Sequence, residues 1–437
     1  MSSTNLYKKI KFIKVLVLSE DMGILEEVIK EIKPNQAEEA EVNLKIKNFL
    51  NKIKIKNAKV VLGGSGAKGT WLREAHDADV FVLFNYNKYK DKNGKISDIL
   101  SNELKKKFGK AARLHGSRDY FQIVQSGFTF EIVPILEVKK AKDALNITDV
   151  SPLHSGWVIK NTDKKSRDDV RLAKMFCKAN NVYGAESHIK GFSGYVLEIL
   201  TVHYGSFMRL VKAAAKWKEK EIIDVKKYYK NKNQLMHDLN KAKTQSPLIL
   251  IDPVQAERNA AAALSIEKYN KFIDACKRFV KKPNIEFFKI KKITLDELKK
   301  KAGSRKLVAL NVTALPGKED IVGSMLLKAL DFIKKELENY GFDVKECSWH
   351  WEKGGSALFW FYVQKADLDK QVINEGPPVK LEKHAENFKK MHKNTFVKSG
   401  KIYAKDERKF VNAEKCVKFL INNRYVKERV KKIEFQT

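Results

Sequence analysis

Residues 63–84, Gly-Gly-Ser-Gly-Ala-Lys-Gly-Thr-Trp-Leu-Arg-Glu-Ala-His-Asp-Ala-Asp-Val-Phe-Val-Leu-Phe, join a glycine-serine turn to two acids at the head of an apolar run. Asp77 and Asp79 stand two apart where that run begins. A strand alternates its side chains, so both carboxylates point to one face, where they can hold a divalent metal. Upstream, Gly64 and Ser65 offer backbone N–H groups and a hydroxyl suited to phosphate oxygens. The combination points to metal-dependent nucleotidyl transfer. A P-loop is ruled out: that motif needs Gly-Lys-Ser/Thr after its four-residue spacer, whereas Lys68 precedes Gly69 and Thr70 follows it directly.

Outward from this stretch, residues 20–57 carry apolar side chains at helical spacing, and Lys59–Leu62 is a short strand running into the turn. Asp79–Phe84, Tyr120–Val124 and Phe128–Val133 read as strands, with helix-forming sequence at 97–113 and Pro134 ending the last strand. This alternation predicts an α/β domain. Glu131 lies mid-strand between Phe130 and Ile132, and a buried carboxylate must be paired or bound to metal, so it is the candidate third ligand. From Arg167 to Tyr229 the period is helical; Asp252-Pro253 caps a further element, which the alanine-rich run 259–263 continues as a helix. The lysine-rich stretch 289–306 reads as a linker. Residues 307–363 then give strand, helix, strand, strand, and Gly376-Pro377-Pro378 breaks the chain before a basic segment.

The 437 residues carry 86 Lys plus Arg against 53 Asp plus Glu, a formal net charge of +33. Such a surplus predicts a polyanionic partner, nucleic acid before membrane surface, although heat-adapted proteins are also lysine-rich. Cys177, Cys276, Cys347 and Cys416 are scattered without metal-ligand spacing, which suits a reducing cytoplasm. No uninterrupted apolar stretch is long enough to span a bilayer, and Lys8, Lys9, Lys11 and Lys14 do not build a signal peptide. No membrane partner is expected.

The set Gly64-Ser65, Lys68, Thr70-Trp71-Leu72, Asp77-x-Asp79 and Phe130-Glu131-Ile132-Val133-Pro134 resembles the archaeal-type (class I) CCA-adding enzymes, which are tRNA nucleotidyltransferases. The resemblance extends through Ser151-Pro-Leu-His154, Val170-Arg-Leu-Ala-Lys174, Asn181-Val-Tyr183, Lys190-Gly-Phe-Ser-Gly-Tyr195, Tyr204-Gly-Ser206 and Ile251-Asp-Pro-Val254 with Glu257-Arg-Asn259. It is strong over residues 40–290 and rests mainly on Gly376-Pro-Pro378 thereafter. Glu131 stands where many members carry Asp, a longer arm with the same chemistry.

The resemblance implies an α+β multidomain chain. A nucleotidyltransferase (polymerase-beta-like) α/β catalytic domain spans 1–150 and a helical central nucleotide-selecting domain 151–290; a C-terminal RRM-like α+β body with a basic tail spans 291–437. It assigns Asp77, Asp79 and Glu131 as catalytic ligands of Mg²⁺, and Ser65, Lys68, His154, Lys174 and Tyr183 to the incoming triphosphate. Taken alone, His154 would read as a core or capping histidine and Tyr183 as a packed aromatic. Arg258 matches the base-reading arginine: guanidinium is donor-only, so it accepts cytosine and adenine and repels the ring N–H of uracil and guanine. The implied partners are the acceptor stem and 3′ end of tRNA, with CTP and ATP as substrates; homodimerisation is left open. Lys389, Lys390, Lys393, Lys398, Lys401, Lys405 and Arg408 are candidate phosphate contacts, whereas Trp349, Trp351, Phe359 and Phe361 read as core. The rival readings are another superfamily enzyme, such as a poly(A) polymerase or oligoadenylate synthetase, and a non-catalytic RNA-binding protein.

Overall fold

The computed structural model describes residues 23–352 and 355–436; the four lysines near the N-terminus lie outside them. The chain divides into two compact units, Met1–Lys291 and Lys292–Thr437.

In the first unit the helical stretch at 20–57 is two helices, 23–32 and Gln36–Leu50. Pro34 cannot continue a helix, and Asn35 restarts one through a reciprocal capping box with Glu38. A five-stranded sheet follows in the order β1-β2-β5-β4-β3, with β1 Ala58–Leu62, β2 Asp77–Asn85, β3 Ala112–Leu114, β4 Tyr120–Gln125 and β5 Phe128–Glu137. Only β2 and β5 pair parallel; the other pairs are antiparallel. One face buries Val80, Val82, Phe84, Phe130 and Ile132, and Phe49 stacks on Phe130 at 3.7 Å. Each such phenylalanine contributes about 1.5–3 kcal/mol of transfer free energy. The opposite face carries the acids of β2 and β5. Pro134 does not end β5. Antiparallel β4 reaches only Ile132, and Arg118 rather than a strand donates to the Pro134 carbonyl at 3.1 Å, so no ladder bond needs a proline N–H there.

Helices Ser151–Asn161, Lys164–Ala179, Gly194–Tyr204, Phe207–Ala214 and Ile266–Lys281 pack around Phe176, Phe192, Phe207, Phe272 and Phe279. Asp163, Ser193, Ser206 and Ser265 cap four of them through side-chain oxygens. Two expectations fail here. The segment to Tyr229 contains β6, Glu221–Asp224, which pairs parallel with β7, Leu248–Ile251. The alanine run 259–263 is a turn: the Asn259 side chain takes the N–H groups of Leu250 and Ala261, and local side-chain bonding of this kind displaces helix.

In the second unit the lysine-rich "linker" contains a capped helix, Leu295–Ala302, whose Leu298 and Ala302 pack against Trp360 and Tyr362. Strands β8 Lys306–Thr313, β9 Val344–Trp351, β10 Ser356–Val363 and β14 Lys432–Phe435 form an antiparallel sheet in the order β14-β8-β10-β9. Helix Glu319–Asn339 follows β8 and helix Ala413–Leu420 precedes β14. Phe359 and Phe361 are fully buried, with Trp349 and Trp351 packed against the same core. The basic segment is folded rather than a tail. Strands β11 Gln371–Pro378, β12 Thr395–Lys398 and β13 Lys401–Glu407 make a second sheet, backed by helix Glu382–Met391. Gly376-Pro-Pro378 therefore lies inside an edge strand, across a register shift, where a Cβ on Gly376 would meet Ile402 and Phe388 at under 3 Å. No helix among the described residues is long and apolar enough to cross a membrane.

Candidate functional site

Parallel pairing sets Asp77 opposite Thr129 and Asp79 opposite Glu131, so the three acids share one face at the mouth of β2 and β5. Asp79 is held up at about 6, first by burial, then by the charges of Glu131 and Asp77. Glu131 Oε1 accepts from Gln122 Nε2 of β4 at 2.6 Å, which fixes its orientation. Among the described residues no three His, Cys, Asp or Glu side chains are drawn together as a closed metal-binding cluster.

The glycine-serine segment is a one-turn helix, Gly64–Lys68, stopped by left-handed Gly69. It presses directly on Asp79. Gly63 N donates to the Asp79 carbonyl at 2.7 Å, and a Cβ on Gly64, whose φ is +53°, would fall 1.6 Å from Asp79 Oδ2. Only glycine fits there. Ser65 is half-buried in the turn, and its carbonyl accepts from Thr70 N at 3.1 Å.

Lys68 and Lys174 converge below this turn on a residue the sequence reading did not single out, Glu198. The carboxylate is wholly buried in helix Gly194–Tyr204. Lys68 Nζ donates to its Oε2 at 2.6 Å, Thr70 Oγ1 to its Oε1 at 2.8 Å, and Lys174 Nζ stands 3.3 Å from Oε1. Burial lowers the Lys174 ammonium to about 8 against the pull of Glu198; burial would raise Glu198, yet the two lysines hold it below the usual carboxylate range. Tyr183 lies beside Lys174: a Cβ on Gly194 would be 3.1 Å from the Tyr183 hydroxyl and 3.4 Å from Lys174 Cε. The signal for Glu198 was present in the sequence, as a lone acid in the apolar run Val196-Leu-Glu-Ile-Leu200.

His154 and Arg258 converge on a second buried acid, Asp252. His154 Nε2 stands 3.0 Å from its Oδ2, the Tyr195 hydroxyl donates to Oδ1 at 3.0 Å, and Arg258 Nη1 donates to Oδ2. Burial opposes ionisation of Asp252, but His154 and then Arg258 hold it below its usual range. The backbone closes the same loop, Asp252 N donating to the Arg258 carbonyl at 3.0 Å. Tyr228 and Tyr229 brace the loop, their hydroxyls donating to the carbonyls of Pro253 and Ala256 at 2.7 and 2.9 Å. The Arg258 side chain remains 31% exposed, with Nη1 held by Asp252. A roomy concavity of about 800 Å³ between helix Gln36–Leu50 and β1 lies apart from all these groups.

Three family descriptions match the chain: a nucleotidyltransferase domain over residues 44–126, the second domain of tRNA nucleotidyltransferase over 168–289, and the C-terminal domain of CCA-adding enzyme over 304–432. A protein from Nanoarchaeum equitans described as CCA-adding enzyme is 36% identical over 373 residues, covering 83% of this chain and 90% of that one. Proteins of the same description from Methanocaldococcus jannaschii and Methanosarcina mazei are 30% and 32% identical, each alignment covering 91% of this chain and 90% and 88% of theirs.

Proposed function

The chain belongs to the CCA-adding enzyme family, and from that premise we propose how its own residues carry out nucleotide addition. It is a nucleotidyltransferase that extends the 3′ end of tRNA by C, C and A from CTP and ATP, without a nucleic-acid template. The register of Asp79 against Glu131, with Asp77 on the same face, carries the reading.

Enzymes of this superfamily generally use divalent metal ions. Asp77, Asp79 and Glu131 fit such an ion: they are hard oxygen donors on one face, and the burial and then the mutual repulsion that raise Asp79 are both costs that a cation relieves. We take the ion to be Mg²⁺, which suits carboxylate and phosphate ligands. Bound there, it would acidify the attacking hydroxyl and neutralise charge on the phosphates.

The terminal 3′-hydroxyl of the tRNA attacks the α-phosphorus in line, the bond to the bridging oxygen breaks, and pyrophosphate leaves. Lys68, Lys174, Ser65, Tyr183 and His154 hold the triphosphate, supplying the cations and hydroxyls that a polyanion needs. Arg258 reads the base. Its guanidinium donates to N3 and O2 of cytosine or N1 of adenine, while the ring N–H of uracil or guanine meets a donor. Asp252 takes Nη1 of that guanidinium, which leaves its other N–H groups for the base.

We assign residues 1–150 to catalysis, 151–290 to nucleotide selection and 291–437 to gripping tRNA. The strand order β14-β8-β10-β9, with helices after β8 and before β14, supports an RRM-like reading of the last part. Four free cysteines suit a cytoplasmic setting. The test is incubation with tRNA lacking CCA and each nucleoside triphosphate. Two C additions followed by one A are expected. Untemplated A-tails alone would indicate a poly(A) polymerase, and no incorporation an RNA-binding protein.

A further inference from the structure

Glu198 ties together three segments that the nucleotide must find in register. Its Oε2 takes Lys68 from the glycine turn; its Oε1 takes Thr70 and faces Lys174 of helix Lys164–Ala179. Lys174 Nζ also donates to the Thr70 carbonyl and hydroxyl at 3.1 and 3.0 Å. Two buried ammonium groups repel one another, and one buried carboxylate alone would be costly, so the shared arrangement satisfies both signs. It still leaves one positive charge over. Nearby Arg171 does not add to this, because Asp168 matches its charge and its other donors go to the carbonyls of Gly69 and Trp71. Tyr183 stays neutral, burial raising its phenol.

We propose that Glu198 is a positioning residue for the incoming nucleotide: by sharing one carboxylate between Lys68 and Lys174 it fixes both ammonium groups and sets the cluster's surplus at one positive charge, the charge that receives the triphosphate. This rests on the reading above that the two lysines hold triphosphate. The same carboxylate carries register to the chemistry, since the turn bearing Lys68 also bears Gly64, which abuts Asp79.

Charge counting supplies the test. CTP binding to the full chain without tRNA is measured by calorimetry at pH 7, with circular dichroism confirming the fold. Lys174→Met leaves Lys68 and Glu198 balanced, and CTP affinity falls by about tenfold or more, the scale of one charge-assisted contact. Adding Glu198→Gln to Lys174→Met restores the surplus and regains most of that loss. Lys68→Met, with and without Glu198→Gln, repeats the comparison through the other lysine and serves if the first double variant does not fold. If the lysine variants weaken binding and Glu198→Gln recovers nothing in either background, Glu198 is merely structural and the proposal falls while the triphosphate reading stands. If neither lysine variant weakens binding, the triphosphate reading falls and takes the proposal with it.

Discussion

Asp252 Oδ2 accepts a hydrogen bond from Arg258 Nη1, while the arginine side chain stays 31% exposed. If Arg258 reads the base, as proposed above, selectivity for C and A depends also on the acid that holds it. Asp252→Asn keeps the shape but weakens the grip, so the guanidinium is free to turn. Discrimination against UTP is expected to drop by about ten- to a hundredfold, the 1–3 kcal/mol of a well-placed base contact. Single-nucleotide incorporation with each triphosphate measures it. Arg258→Ala should lose the selectivity altogether, and unchanged selectivity in either variant would discard the donor argument.

Gly64→Ala tests the contact between turn and catalytic acid. The added methyl would overlap Asp79 Oδ2 in a backbone conformation with φ of +53°. Strain of about 1–3 kcal/mol should accrue locally, equivalent to about ten- to a hundredfold in rate if carried into the transition state. The expected result is a fall in kcat with nearly unchanged tRNA binding. Asp79→Asn should be more severe. Removing divalent ions with a chelator should stop incorporation in the wild-type protein, with activity returning on addition of Mg²⁺.

The acids of β2 and β5 and the carboxylate of Glu198 are legible in the sequence to different depths. Asp77, Asp79 and Glu131 stand out in the sequence because strand alternation is local and an acid in an apolar run calls for a partner. Glu198 met the same criterion but was passed over, since its partner Lys68 is 130 residues away and no local pattern joins them. The strand through Pro134 was hidden because what tolerates proline there is the short reach of β4, a tertiary fact. Likewise the alanine run 259–263 has helical propensity, but Asn259 bonding to the β7 backbone overrides it. The lysine-rich 289–306 concealed a helix because its apolar Leu298 and Ala302 are few, and only Trp360 and Tyr362 give them something to cover.

If Lys174 holds the triphosphate, as proposed above, nucleotide affinity should depend on pH. Burial lowers its ammonium from 10.5 to about 8 in the free protein. A triphosphate binds the charged form, so CTP affinity should be level below about pH 8 and fall as pH rises through it. The effect on stability has the opposite sign. Between about pH 8 and 10.5 the unfolded lysine keeps a proton that the folded one has shed, so this group's contribution makes the fold more stable as pH rises. Isotherms from pH 6.5 to 9.5 check the first statement, and Lys174→Arg, charged throughout, should remove the pH step. Persistence of the step in that variant would assign it to another group.

The sheet of β11, β13 and β12 has two faces of different character. Phe396 and Tyr403 stack at 5.6 Å on its outer face, and alternation puts Lys398, Lys401 and Lys405 on that same face. Helix Glu382–Met391 covers the other side through Phe388, against Ile402 and Ala404. Lys401 is already engaged, donating to Glu375 at 2.5 Å, whereas Lys398 and Lys405 are exposed. If this face meets tRNA phosphates, Lys398→Ala and Lys405→Ala should each raise the KM for tRNA. Each should also flatten the dependence of log affinity on log salt by roughly 0.7–0.9, the counterion release of one phosphate contact. Lys401→Ala should do less, because its ammonium is already committed to Glu375. Salt titrations of tRNA binding separate the three, and equal effects from all of them would mean that the Lys401–Glu375 pair opens on binding.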